Sequence, residues 1–441
     1  MPEWQIGFAR QRITPSLGCE MAGFDARKGV AQAVHDDLYA HAMVFDCGDA
    51  QVVLVSVDVI AVSAEFSRAV RQEIEAIHGI PVSHVFLAAT HTHCGPVTIN
   101  GFFNQGQYLD AAYLRELHRH IVAAITQAVE EKKPRTLKTG LVPVDGIAVN
   151  RRTEDGLPVD PYAGILQIEE MDGKTAAVAV IYACHTTVLG PNTLSLTQDF
   201  PFYTLAKLKR ALGDDVETLY FNGAQGDLSI GHKSNLSAVG IVDPYRTFAT
   251  AQRLGERLAD AVLAGLESLD IEAPIVKVLQ RKVALPLKQY EPLAAMTKAR
   301  EDAGRAIVGD RMDAEMLAKR QVSLFARIEE YHAMLYEASD SAEPKTLTVE
   351  YAAILLGETA LITLPGEIFV RVALGIREKS PFTKTLFLGL TNNYIGYLPD
   401  HEATRDSGYE VVASRVPASA GDILQSEAAK MLQELKETSA L

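Results

Sequence analysis

Short apolar runs alternate with amphipathic stretches over the first 270 residues. Residues 51–60 and 82–90 are rich in β-branched and apolar side chains, which predicts two buried strands. Between them, residues 63–78 have apolar positions at helical spacing, with Ser63 suited to the N-cap and Gly79 to the end of the helix. The same patterns predict helices and strands further along: helices over 114–131, 202–212 and 245–266, and strands over 176–183 and Glu217–Asn222. Strand, helix and strand in this order predict an α/β fold, a layered mixed β-sheet core flanked by helices.

The pattern changes after Pro286. Residues 291–338 are rich in Ala, Glu, Arg, Lys, Met and Leu and contain only two glycines, which predicts a helical insert that turns near residues 307–310. Both a surface insertion and a lid over a site fit this pattern. Strands are predicted to resume at Thr346–Leu356, 359–364 and 385–390, and a helix over 423–436 closes the chain. Because no repeat or low-complexity linker interrupts the sequence, we expect a single domain over residues 1–441.

Composition and charge exclude several classes of protein. Hydrophobic residues make up 48% of the chain and charged residues 22%, which excludes a disordered or collagen-like protein. The 56 acidic residues outnumber the 42 basic ones, giving a net charge of −14, which argues against nucleic acid or an anionic membrane as the main partner. No apolar run approaches the ~20 residues of a membrane helix. With no signal-peptide pattern and four cysteines that form no CxxC pair, we expect a cytoplasmic protein; its oligomeric state is not indicated.

The strongest local signal is the run AATHTHCGP at residues 88–96. His91 and His93 follow a predicted buried strand and precede a Gly-Pro break. In an extended segment, residues i and i+2 point to the same side, so both imidazoles are expected to face one site at the carboxyl end of the strand. One histidine could bind a metal while the other handles protons or orients a substrate.

A second histidine signal repeats this arrangement. His185 follows the predicted strand 176–183 and precedes another Gly-Pro break, although a lone histidine in such a place is also a common core residue. Cys94 and Cys184 are adjacent to the histidines in sequence and could be soft zinc ligands, but a small buried thiol is the commoner role.

Three further loops carry polar groups. In FNGAQGDLS, residues 221–229, a strand enters a glycine-rich turn whose N–H groups could hold an anion; the run is not GxSxG, so Ser229 is not expected to be a nucleophile. Glu367 follows an apolar strand and a Pro-Gly turn, a position suited to metal binding or to stabilising the next helix. Tyr397 and Tyr409 lie in a polar, glycine-containing region where tyrosines are more often packing residues than catalysts.

In their order along the chain, these motifs resemble those of the neutral (non-lysosomal) ceramidase family. Members of that family are zinc-dependent amidases that split N-acyl sphingosine into fatty acid and sphingosine. The matching segments, in chain order, are GFARQRIT at 7–14, MAGF at 21–24, HDDLYA at 35–40, HTH-x-GP at 91–96, Asn150-Arg151, Cys184-His185-Thr186, Gly226-Asp227-x-Ser229, Gly366-Glu367 and Tyr394-x-x-Tyr397 with Tyr409 twelve residues on. They cover most of residues 5–235 and 350–412, and HTH-x-GP is the most specific of them.

The resemblance implies a set of metal ligands and a set of catalytic groups. One zinc ion per chain would be held by His91, His185, Glu367 and Tyr397, with water in the remaining position. The catalytic groups would be His93 as proton donor to the leaving amine, Arg151 and Tyr409 near the carbonyl oxygen or the polar head of the substrate, and Ser229 as a hydrogen-bond donor. The implied activity is hydrolysis of a linear amide, a lipid or small-molecule N-acyl amine, by metal-activated water.

The chain also departs from the family pattern. Ser229 leads into Ile230-Gly231 where the family has Pro-Asn, Cys94 stands where the family usually has Ser, and no C-terminal immunoglobulin-like domain is expected. Two alternatives therefore stay open. One is a related zinc hydrolase of a small non-lipid amide or ester. The other is a non-catalytic ligand-binding relative, in which the metal is structural or absent. A structural metal would have closed coordination, for instance with Cys94 or Cys184 in place of water.

Overall fold

The secondary structure is mixed α/β in a computed structural model that describes residues 3–101, 108–152, 158–309, 312–339, 345–405 and 408–439. The strands of the described part are β1 Gln5–Arg12, β2 Ala33–Val34, β3 Tyr39–Asp46, β4 Gln51–Val57, β5 Val85–Ala89, β6 Lys133–Pro143, β7 Val149–Asn150, β8 Tyr162–Glu170, β9 Thr175–Tyr182, β10 Ser195–Leu196, β11 Glu217–Asn222, β12 Leu228–Ser229, β13 Asp270–Ile271, β14 Val276–Pro286, β15 Thr346–Leu356, β16 Thr359–Thr363, β17 Glu367–Ile368, β18 Lys384–Leu388 and β19 Tyr397–Leu398. The α-helices are α1 Ala64–His78, α2 Ala111–Glu130, α3 Phe200–Leu212, α4 Ser234–Ala238, α5 Phe248–Gly265, α6 Leu293–Arg305, α7 Ala314–Glu337, α8 Val370–Glu378, α9 Tyr409–Val412 and α10 Ser419–Ser439.

The largest sheet in the described part has the strand order β11-β9-β8-β6-β1-β3-β4-β5, with β13 paired to β6. Its outermost pairs, β4–β5 and β9–β11, are parallel, and the strands between them are antiparallel. The two ends of the sheet meet, since the Ser56 hydroxyl on β4 donates to the Tyr220 carbonyl on β11 at 2.5 Å. Phe86 and Phe221 belong to one apolar core shared by both ends.

Helices cover the outer faces of this sheet. Ile121 of α2 packs in one buried cluster with Val55 and Leu87 of the sheet, and α1 joins the same layer. Leu258 of α5 packs in another cluster with Val178 of β9, beside α3. The predicted fold class, a layered mixed sheet flanked by helices, is confirmed.

The helical insert leaves the fold from the end of a β-hairpin. β14 and β15 pair along their whole length, from Val276–Leu356 to Pro286–Thr346, in a second sheet of order β14-β15-β16-β18. Residues 287–345 therefore start and finish side by side. Within them, α6 and α7 lie antiparallel, with Arg300 Nε donating to Glu330 Oε2 at 2.9 Å. The predicted hairpin over 291–338 is confirmed; residue 310 of the predicted turn lies outside the described residues.

The first predicted helix has the predicted ends. Ser63 Oγ accepts a hydrogen bond from Phe66 N at 3.1 Å, and Gly79 ends the helix at a φ of 69°. The strand predicted over 82–90 is shorter, because Val82–His84 form a 3-10 turn before β5 begins. Of the described helices, none combines the length and the apolar character needed to cross a bilayer.

Candidate active site

The site residues lie in loops that follow parallel strands. His91 follows β5, His185 follows β9, and Glu367 follows β16, which is parallel to β18. Backbone hydrogen bonds hold these loops together: His185 N donates to Leu228 O at 3.1 Å, and Gly226 N donates to Ile368 O at 2.9 Å. Residues far apart in sequence therefore meet at the carboxyl ends of the parallel strands, where ligands bind in α/β folds.

His91 is not in the extended backbone that the sequence argument assumed. Its φ is 65°, in the left-handed region, which costs a residue with a side chain about 1–2 kcal/mol. Two contacts hold it there: His91 N donates to Val59 O at 3.0 Å, and Nδ1 lies 2.7 Å from Ile60 O. His91 and His93 do converge, with their Nε2 atoms 3.3 Å apart. The physical reason given for this convergence was wrong, because a turn rather than an extended strand produces it.

Three histidines form a group able to hold a metal ion. His91, His93 and His185 each offer a ring nitrogen, and these atoms lie within 4.8 Å of one another. His185 Nδ1 lies 2.8 Å from Gln225 O and 2.9 Å from Leu228 O. A histidine whose Nδ1–H is donated to a carbonyl presents its Nε2 lone pair, so the backbone fixes His91 and His185 in the form that binds a metal.

The carboxylate of Glu367 completes the group. Its Oε2 lies 2.8 Å from His185 Nε2 and 3.5 Å from His91 Nε2, and Tyr394 donates to its Oε1 at 2.5 Å. Burial raises the pKa of Glu367, but His91 and His185 outweigh burial and hold that pKa well below its ordinary value. Burial and the nearby Arg151 lower the pKa of His185 to about 4. Neutral imidazoles and an ionised carboxylate are the forms that bind metal, so the donor set fits a metal ion.

The two cysteines beside the histidines do not join this group. Among the described residues, neither Cys94 nor Cys184 has its sulfur in the cluster. Arg27 Nη2 lies 3.8 Å from Cys94 Sγ, and Cys184 Sγ donates to the His185 carbonyl at 3.6 Å. Burial raises the pKa of the Cys94 thiol to about 12, which disfavours the thiolate that a metal needs.

Arg151 is buried at the side of the histidine group. Its Nε donates to Glu410 Oε1 at 2.7 Å, and its Nη2 donates to Tyr397 Oη at 3.0 Å and to Gly226 O at 3.1 Å. The Ser234 hydroxyl donates to the same Glu410 oxygen. Burial lowers the pKa of Arg151, but Tyr397, Glu410 and Glu367 outweigh burial and raise it above its ordinary value, so the guanidinium stays charged. Sequence reasoning missed Glu410, although it directly follows the predicted Tyr409.

The comparisons with known proteins agree with this geometry. Residues 4–200 match the model of the neutral/alkaline non-lysosomal ceramidase family, N-terminal part. This match covers residues 4–200, and over that part the chain is similar to the family. Two similar solved structures are described as "Ceramidase complexed with C2" (16% identity, TM-score 0.75, 99% of this chain and 76% of that chain) and as neutral ceramidase from Pseudomonas aeruginosa (17%, 0.76, 99% and 75%). At these identities the likeness shows the fold, and no curated protein sequence matches the chain.

Most of the site residues expected from the ceramidase motifs face one cavity. The cavity is lined by His91, His93, Arg151, Glu367, Tyr397 and Tyr409. Tyr394 lines the cavity too and donates a hydrogen bond to Glu367. The resemblance to the family motifs had assigned Tyr394 no role. His185 is fully buried against Glu367. The Ser229 hydroxyl is instead engaged with backbone, donating to His232 O and accepting from Gly231 N, both at 3.3 Å.

The other residues that line the cavity are partly apolar and partly polar. Its apolar residues are Phe24, Ile60, Ile99, Ala238 and Leu324, and its polar residues are Asp25, Thr187, His232, Ser234 and Ser237. Leu324 belongs to α7 of the insert, and Arg327, one turn further on, pairs with Asp25 at 3.1 and 3.2 Å. The insert therefore forms part of the cavity wall, as the lid interpretation requires of its position.

Proposed function

We propose that this chain is a zinc-dependent hydrolase of a linear amide bond, acting on an N-acyl amine. The observation that carries the proposal is the group of three histidine nitrogens within 4.8 Å of one another, with Glu367 2.8 Å from one of them, on a cavity that also contains Arg151. The match of residues 4–200 to the ceramidase family model and two structural neighbours described as ceramidases support the same chemistry.

The donor set suits one zinc ion per chain, held by His91, His185, Glu367 and Tyr397. When bound, a catalytic zinc ion polarises a carbonyl group and makes water a nucleophile near neutral pH. The Tyr394 hydrogen bond at 2.5 Å orients the Glu367 carboxylate. In this proposal the amide carbonyl of the substrate lies beside the histidine group.

The other residues on the cavity act on the amide itself. Arg151 is charged and donates to Tyr397, so this pair can stabilise negative charge that develops on the carbonyl oxygen. His93 has its Nε2 at the histidine group, while its buried Nδ1 has no hydrogen-bond partner among the described residues. A proton held on His93 can pass to the leaving amine, which makes His93 the proposed general acid.

The cavity wall favours a substrate with an apolar acyl group. Phe24, Ile60, Ile99 and Leu324 offer such a group an apolar surface beside the amide site. This favours a lipid-like N-acyl amine over the alternative of a small polar amide or ester. The position of Cys94 and Cys184 outside the described metal group disfavours closed coordination in a non-catalytic relative.

The test combines metal analysis with hydrolysis assays. Zinc per chain and turnover of N-acyl amines of graded acyl length are measured for the wild type, His91→Ala and His185→Ala. A control is His118→Ala on α2, where the histidine pairs with Glu73 of α1 at 2.6 Å. We expect about one zinc in the wild type and in the control. The two site variants should be folded, with zinc and turnover lost. Undiminished hydrolysis in His91→Ala, or no stoichiometric metal in the wild type, refutes the proposal.

A further inference from the structure

His232 is a polar residue of the cavity that the catalytic proposal does not use. It lines the same cavity as His91 and His93, and only 3% of its surface is exposed. Its Nε2 lies 3.4 Å from Thr187 Oγ1, whereas its buried Nδ1 has no hydrogen-bond partner among the described residues. A buried polar atom without a partner is unfavourable, and beside a substrate cavity a ligand can supply that partner. Moreover, His232 comes just after Ser229, where the chain departs from the Ser-Pro-Asn pattern of the family.

The charges around His232 favour a neutral ligand group. Arg246 donates through all three of its nitrogens, to Val188 O, to Ser237 Oγ, and to Thr187 O and Leu189 O, at 2.8–3.4 Å. Because these nitrogens already donate to protein oxygens, Arg246 offers little hydrogen bonding to an anionic group. A cationic group would lie near the positive charge of Arg246. Asp25, the acidic member of the polar cavity residues named above, is already paired to Arg327 and cannot readily offset that charge.

The protonation state of His232 narrows the ligand chemistry further. Burial and the nearby Arg246 and Arg151 hold the pKa of His232 well below its ordinary value, so the ring is neutral. A neutral imidazole has one donor and one acceptor nitrogen, and the Thr187 contact takes up Nε2. A hydroxyl group both donates and accepts, so it pairs with Nδ1 in either tautomer.

Resting on the proposed amidase function, we propose that His232 determines specificity by binding a hydroxyl group of the substrate through Nδ1. The hydroxyl lies close to the scissile amide, on its amine half or on its acyl half, since His232 shares one cavity with His93 and Arg151. Thr187 acts through His232 as a positioning residue.

Three matched substrates test on which half of the amide the hydroxyl is recognised. N-Octanoylpropylamine is the parent, N-octanoylethanolamine replaces its terminal methyl by a hydroxyl, and N-(2-hydroxyoctanoyl)propylamine carries the hydroxyl on the acyl half. We expect the wild type to favour one hydroxylated amide over the parent by ~10-fold or more in kcat/KM, because a buried polar partner rejects an analogue that lacks the hydroxyl. His232→Phe should abolish this preference, and His232→Asn, whose amide can take the place of Nδ1, should keep part of it.

Each outcome decides the proposal. No preference in the wild type, or the same preference in His232→Phe, overturns it. If the wild type hydrolyses none of the amides, the proposed function fails, and binding of the same three compounds by calorimetry then decides the His232 site. In that calorimetry, tighter binding of a hydroxylated amide by the wild type that is lost in His232→Phe supports the proposed His232 site. Equal affinities of the wild type for the three compounds refute it. If His232→Phe does not fold, Thr187→Val is used instead, with a preference lowered at least ~3-fold expected and an unchanged one contradicting the proposal.

Discussion

Replacing Glu410 by Gln isolates the buried ion pair beside the candidate metal group. The substitution keeps the shape of the side chain and an oxygen that can accept from Arg151 Nε, now at 2.7 Å from Glu410, but it removes the negative charge. Arg151 then remains buried and charged, with the Tyr397 hydroxyl and the Gly226 carbonyl as its other partners. The variant therefore tests whether the structure needs the charge of Glu410 or only its hydrogen bond.

The burial of both partners sets the size of the effect. The Arg151 and Glu410 side chains are 3% and 2% exposed, and removing one partner of such a pair costs about 3–5 kcal/mol in free energy of unfolding. Because Gln keeps the hydrogen bond, we expect the lower end, about 3 kcal/mol. The double variant Arg151→Met/Glu410→Gln leaves no unpaired charge and should recover about 2 kcal/mol of this loss.

Urea denaturation at pH 7 measures these free energies, with a surface pair as the matched control. Glu434 pairs with Arg281, and these side chains are 45% and 48% exposed, so Glu434→Gln should cost below about 1 kcal/mol. A loss in Glu410→Gln no larger than in this control, or strict additivity in the double variant, refutes the reasoning. Glu410→Gln should also lower kcat, since the guanidinium of Arg151 loses its ionic partner and is held less firmly beside Tyr397.

Two further predictions concern other parts of the chain. In Gly23→Ala, at a φ of +98°, the added Cβ would lie 2.4 Å from His93 Cγ; we expect kcat to fall ~10²-fold with zinc retained, whereas Gly18→Ala, at +89° with open space, should cost stability but not kcat. Burial raises the pKa of Asp199 from 3.8 to about 6, so the native state takes up this proton first as the pH falls. As the pH falls from 6 to 4, the contribution of Asp199 to the free energy of unfolding therefore grows, by up to about 3 kcal/mol. Urea denaturation should show this gain in the wild type and not in Asp199→Asn.

The strands that the sequence predicted best are those that are buried over most of their length. β11 and β15 were predicted at their observed bounds because their apolar character is nearly continuous and turn residues flank them. The antiparallel strands β1 and β6 were not predicted. Their charged and glycine positions, as in QIGFARQR, break the alternation that marks a strand, and pairing with neighbours such as β3 and β8 stabilises them.

The site was predicted from its motifs rather than from local pattern. No spacing rule relates His91 to Glu367, which are 276 positions apart, because only the parallel pairing of strands brings them within 3.5 Å. The left-handed backbone of His91 could not be predicted either, since it depends on bonds to Val59 and Ile60 in the loop that follows β4. His232 lacked any motif, and its role is visible only from an unpartnered nitrogen in a cavity.

The paired ends of β14 and β15 make the insert an exchangeable module. Since Pro286 and Thr346 are neighbours in the hairpin, segments of different length can connect them. The entropic cost of closing such a connection rises by only about 0.6 kcal/mol for each doubling of its length. Helical hairpins of different size can therefore be transplanted here while the histidines stay fixed by other strands. A family built this way can change which molecules it admits without rebuilding the groups that react with them.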